Sequence, residues 1–127
     1  MAYDDDGTLE LVLTAKDATR ADSAVLQQAA DEGADLSVPV LVRHHLVALP
    51  DDAAVERARV LLGQDGYRLT VLAGPPYAVR AWRTQVLTAM SASQERSRMA
   101  GLAQRLGGDV AGYDVLAPRR EDPQARH

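Results

Sequence analysis

Residues 38–49 read VPVLVRHHLVAL, an almost unbroken run of β-branched and aliphatic side chains with Asp35 before it and Pro50 after it. Such a run predicts a strand buried on much of both faces. Pro50, Asp51 and Asp52 follow as an acidic N-cap. Ala54, Val55, Ala58, Leu61 and Leu62 then form a helical stripe opposite Glu56, Arg57 and Arg59, ending between Gly63 and Gly66. Tyr67, Leu69 and Val71 alternate with Arg68 and Thr70 as a second strand. Gly74-Pro75-Pro76 turns the chain, and residues 77–85 alternate again as a third. The short connection between them predicts an antiparallel hairpin.

Outward from this centre, a second helix is expected from Ser91, which has capping-box spacing to Gln94, through Met99, Leu102, Ala103 and Leu106 to Gly107-Gly108. A fourth strand follows over residues 110–116. Strand, helix, strand, strand, helix, strand is the ferredoxin-like βαββαβ order, an α+β fold with a four-stranded antiparallel sheet. Right-handed crossovers would place its first and third strands centrally. Residues 65–69 (DGYRL) echo residues 111–115 (AGYDV) at the ends of the two halves. Upstream, residues 17–32 carry Ala18, Ala21, Val25 and Ala29 at helical spacing with Gly33 behind them, so an extra N-terminal helix should cap an edge or part of the open sheet face. Leu9, Leu11 and Leu13 alternate with polar and aliphatic neighbours, as a short strand or as the lead-in to that helix. Residues 1–8, with three consecutive aspartates, read as an acidic tail, and residues 117–127, with Pro118 and Pro123, as a polar one; residues 9–116 form the single domain.

Composition narrows the chemistry. The chain has 127 residues, 18 acidic and 14 basic, for a net charge of −4, so no basic patch is strong enough to neutralise a phosphate backbone. Cysteine is absent, which removes disulfides, thiolate nucleophiles and thiolate zinc sites. No signal peptide or membrane span is legible, and a cytoplasmic location is expected. His44 and His45 are adjacent on a strand, so they face opposite ways and cannot share a metal. No serine lies in a nucleophile elbow, and no glycine spacing makes a phosphate loop. Asp51 or Asp52 could be paired with His44 in a small enzyme, but both are more simply explained as a helix cap. Tyr77 and Trp82 lie on opposite faces of their strand and no RNP1-like string is present, which argues against an RNA-stacking sheet. Arg80, Arg83, Arg96, Arg98 and Arg105 are left as a surface that could meet an acidic protein.

In order along the chain, Ala24-Val25-Leu26 leading to Gly33-Ala34-Asp35-Leu36, Val42-Arg43-His44-His45-Leu46 with Pro50-Asp51-Asp52, Asp65-Gly66-Tyr67, Val86-Leu87-Thr88, and residues 108–115 resemble the regulator of ribonuclease activity B (RraB) family, inhibitor proteins of ribonuclease E. The resemblance spans residues 23–116 and implies a ferredoxin-like, non-enzymatic regulator without a cofactor. Such a protein would dock on ribonuclease E and alter RNA decay. The positions matching the family motifs are His44, Asp51, Gly66, Tyr67, Gly112 and Tyr113, as fold markers or partner-binding residues. The family commonly ends in Asp-Gly-Trp where this chain has Ala111-Gly112-Tyr113, and the acidic tail of its best-known members is replaced by Arg119-Arg120-Glu121-Asp122. That departure keeps a second expectation alive: a stand-alone interaction, effector-binding or immunity-type module with another protein partner. Neither nucleic acid nor membrane is expected as a partner. A homo-oligomer through a strand edge or the open sheet face is compatible with the topology.

Overall fold

The computed structural model describes residues 2–16 and 21–118. Within them lie β1 (Glu10–Ala15), α1 (Asp22–Asp31), β2 (Val40–Leu49), α2 (Asp52–Gly63), β3 (Arg68–Ala73), β4 (Tyr77–Gln85), α3 (Ala89–Arg105) and β5 (Asp109–Ala117). The strands form one antiparallel sheet in the order β1-β5-β2-β4-β3. From β2 onward the order of elements is the one read from the sequence, and β2 and β4, the first and third strands of that unit, are inner strands.

The sheet has five strands rather than four. Of the alternating leucines near the N-terminus, Leu11 and Leu13 lie in β1, which pairs with β5 and becomes an edge strand, while Leu9 precedes it. A bulge between Leu11 and Leu13 interrupts its alternation. α1 packs against α3 and β1, so it covers the helical side of the sheet near that edge rather than the other face. Its described start is Asp22; residues 17–20, which the sequence reading included, lie outside the described residues, as do residues 119–127 of the expected C-terminal tail.

Helix boundaries follow their caps. Asp51 caps α2, its Oδ1 accepting from the Ala54 N–H at 2.9 Å. α3 begins two residues earlier than expected because Thr88 is the N-cap: its side chain accepts from the Ser91 N–H while Ser91 Oγ accepts from the Thr88 N–H. Ser91 is therefore the third residue of the helix, not its cap.

β2 is buried on both faces by two different means. Val40, Val42, His44 and Leu46 face the helices; Leu46 and Leu49 join Val55, Leu62, Val79, Met99 and Leu102 in the main core, while Val40 and Val42 pack with Leu26, Leu87 and Val115. Each such leucine, fully buried, contributes roughly 2–3 kcal/mol. The intervening Leu41 packs on the opposite face with Trp82 and Leu116, under Tyr3 and Leu9. Residues 2–9 are thus not a free tail. They cross the helix-free face, with the Tyr3 N–H donating to Thr84 Oγ1 at 2.7 Å and Asp5 bonded to Arg43 at 2.8 Å. A strand with a half-buried arginine at its centre needs a counter-charge, and Asp5 helps supply it.

Candidate functional site

His44 sits at the centre of the helical face, 3% exposed and directly opposite Tyr113 on β5. Its ring lies 5.6 Å from that of Tyr113 and 6.0 Å from that of Tyr67, edge-on to the latter. Each tyrosine delivers its hydroxyl to a carboxylate on a helix. Tyr67, just before β3, donates to Glu95 of α3, and Tyr113 donates to Asp22 of α1 at 3.1 Å. Glu95 also accepts from Gln85 Nε2 at 2.6 Å and Arg83 Nη2 at 3.2 Å, and it faces His44 Nε2 at 3.9 Å, an ion-pair separation too long for a hydrogen bond. Arg83 lies over the Tyr67 ring at 4.3 Å, and Arg96 pairs with Asp22 at 3.0 Å.

The network fixes which of its groups carry charge. Burial alone would raise the Glu95 carboxyl, but His44, the Tyr67 and Gln85 donors and the Arg83 charge outweigh it and lower it from an ordinary 4.5 to about 2. Burial raises the hydroxyls of Tyr67 and Tyr113 well above the ordinary phenol, reinforced by the acceptors Glu95 and Asp22. At neutral pH this leaves Glu95 an ionised carboxylate and Tyr67 and Tyr113 neutral phenols.

The opposite face carries a second constellation. Asp114 accepts from Arg43 Nε at 2.7 Å and Thr14 Oγ1 at 3.0 Å, and lies 2.5 Å from His45 Nε2. Burial raises its carboxyl, yet the bonds to His45 and Arg43 dominate and hold it well below the usual carboxylate range. His44 and His45 therefore face opposite sides of the sheet, as the strand period requires. Among the described residues no group of three or more His, Asp and Glu side chains is placed to hold a metal ion. Among them, too, no helix is long and apolar enough to cross a membrane.

The family model for regulator of ribonuclease activity B matches residues 19–115. The chain belongs to the RraB family. Nothing matches it among curated proteins or among solved structures.

In this RraB-family chain three of the six motif positions converge: His44, Tyr67 and Tyr113 pack ring against ring. The repeated Gly-Tyr of residues 66–67 and 112–113 is the means, since each glycine has a positive φ, +83° at Gly66 and +95° at Gly112, just ahead of the tyrosine. Asp51 stands apart at the α2 N-terminus, and Asp52 accepts from the Tyr77 hydroxyl. The carboxylate beside His44 is Glu95, which the sequence reading passed over. Its signal was present: Glu95 falls on the Ala92-Met99-Leu102 stripe of α3, as Asp22 falls on the Val25-Leu26-Ala29 stripe of α1. An acid on a buried helical stripe needs a partner across the core.

These carboxylates give the fold a defined acid limit. Glu95 and Asp114 titrate lower in the folded chain than in the unfolded one, so their stabilisation is present above the unfolded values, near pH 4–4.5, and is lost as the pH falls through the folded ones. The carboxylate contribution to the unfolding free energy, from urea titrations, is expected to be complete by pH 5. It should then fall between about pH 4.5 and 2, with Glu95 contributing on the order of 1–2 kcal/mol once solvent screening is allowed for. A level profile through that window would show the network to be energetically silent.

Proposed function

We propose that this RraB-family protein is a non-catalytic regulator that docks on ribonuclease E and changes RNA decay by altering what the nuclease assembly binds or cleaves. The match to the family over residues 19–115 carries the reading. The character of the polar groups supports it: Glu95 and Asp22 are bound by Tyr67 and Tyr113 in the core, an arrangement that fixes a fold rather than turns over a substrate, while the His44 ring packs beside both tyrosines with its Nε2 lacking a hydrogen-bond partner. On this reading residues 40–117 are a ferredoxin-like core to which β1 and α1 are added.

The test is titration of the purified protein into ribonuclease E of its own host, with binding read by calorimetry and cleavage of a model RNA followed in the same samples. Saturable binding with slowed cleavage is expected. Binding without a rate change would mean that the regulator remodels the assembly instead. No binding at micromolar concentration, a free energy weaker than about −8 kcal/mol, would sink the reading and favour a different protein partner, which the Ala111-Gly112-Tyr113 ending and Arg119-Arg120 already set apart from the common family pattern.

A further inference from the structure

The helix-free face of the sheet is covered by residues 2–9, which belong to no strand or helix until β1 begins at Glu10. Their hold is thin. Tyr3 gives one backbone hydrogen bond to Thr84, Tyr3 and Leu9 lie half-buried on Leu41, Trp82 and Leu116, and one carboxylate, Asp5, serves two arginines, Arg43 at 2.8 Å and Arg80 at 3.3 Å. Asp4 adds an exposed contact to Arg68 at 3.6 Å. What lies beneath is more strongly specified than what covers it. Arg80 Nε is buried without a hydrogen-bond partner. Arg43 and Arg80 flank an apolar floor containing the chain's one tryptophan. Asp114, the acid on that floor, is already engaged with Arg43 and His45. With residues 2–9 lifted, the face is cationic on a chain whose net charge is −4. Past Tyr3 it continues into a cleft of about 460 Å³ beside Arg68, Trp82 and Gly66.

We propose that this face is the docking surface for an acidic linear segment of a protein partner, with an aromatic residue two positions ahead of a carboxylate, and that the chain's own residues 3–9 cover it by imitating that segment. Tyr3 and Asp5 are the template: aromatic on the apolar floor, carboxylate between Arg43 and Arg80. A partner with a second carboxylate gains what the cover leaves unmade, a charge-assisted bond to Arg80 Nε. Displacement follows by mass action, because apparent affinity is the intrinsic affinity reduced by the fraction of molecules that are uncovered. The proposal deepens the docking reading above and rests on it only for the partner's identity.

The probe is a synthetic peptide with the sequence of residues 3–9, YDDDGTL, added to the full chain and followed by Trp82 fluorescence and calorimetry. The Tyr3→Ala/Asp5→Asn double variant, which loses the internal competitor, is expected to bind it at least tenfold more tightly than the parent. That binding should weaken with salt, and adding Arg80→Gln or using a peptide with Asn for its second Asp should each reduce it tenfold or more. A double variant with unchanged circular dichroism and no gain in affinity would overturn the proposal. So would binding of an oligouridine in place of the peptide. Should the double variant not fold, amide exchange of the parent decides: excess peptide must speed exchange at the Tyr3 N–H, and unchanged exchange overturns the idea. Peptide binding without ribonuclease E binding upholds the surface and removes the nuclease as partner. Nuclease binding indifferent to both the double variant and competing peptide upholds the nuclease and overturns the surface.

Discussion

Alanine in place of Glu95 is expected to lower the free energy of unfolding by about 3 kcal/mol, measured by urea denaturation at pH 7 with the m-value unchanged. The carboxylate accepts from the Tyr67 hydroxyl, from Gln85 at 2.6 Å and from Arg83 at 3.2 Å, so three donors lose their acceptor at once. Tyr67 is 4% exposed and has little water to turn to. Arg83 retains the Asp65 carbonyl and Gln85 Oε1, which limits the damage to its guanidinium. Alanine's better helix propensity returns only a few tenths of a kcal/mol. Glutamine keeps acceptor oxygen but not charge, so it should cost about half as much and flatten the loss of stability between about pH 4.5 and 2. A cost below about 1 kcal/mol for alanine would place Glu95 among ordinary surface ion pairs.

What the sequence disclosed and what it hid divide along a physical line. Periodic features were legible: the inner strands β2 and β4, the Pro50-Asp51 start of α2, and the two Gly-Tyr pairs all announce themselves through local spacing or local backbone demands. Hidden features depend on partners distant in the chain. β1 was ambiguous because six alternating residues fit a strand or a lead-in equally well, and the bulge at Val12 blurs the alternation that would have decided it. Asp5 was invisible as a counter-charge because three consecutive aspartates look like solvated chain until Arg43 and Arg80 are brought beneath one of them. Glu95 and Asp22 lay between those cases: helical spacing put each on a buried stripe, and only the tyrosines of the other motif completed the bond. Of the residues singled out in advance, His44, Tyr67 and Tyr113 form one cluster because the sheet pairs His44 with Tyr113 and α3 bridges to Tyr67. Asp51 does not join them because its side chain is already closing the first turn of α2.

The two glycines of the repeated motif make an internal control, since they share a backbone conformation and differ in surroundings. Gly66 has φ of +83° and nothing within 4 Å of where a Cβ would stand, so Gly66→Ala should cost only the left-handed strain, about 1 kcal/mol. Gly112 has φ of +95°, and a Cβ there would meet the Ala15 carbonyl oxygen at 2.1 Å. Ala15 pairs with the adjacent Tyr113, so that oxygen cannot retreat without drawing β1 away from β5. Gly112→Ala is therefore expected to cost roughly 3 kcal/mol, the backbone strain plus the disrupted edge pairing. The loss should be local before it is global: the amides of β1 lose hydrogen-exchange protection, while those of β2 and β4 keep it until the whole domain opens. The comparison separates two roles for the motif. If the glycines only release backbone strain, both alanine variants cost the same, about 1 kcal/mol, and β1 stays protected in each. A threefold difference with β1 exposed in Gly112→Ala alone means that the second Gly-Tyr both turns Tyr113 toward His44 and admits the fifth strand to the sheet.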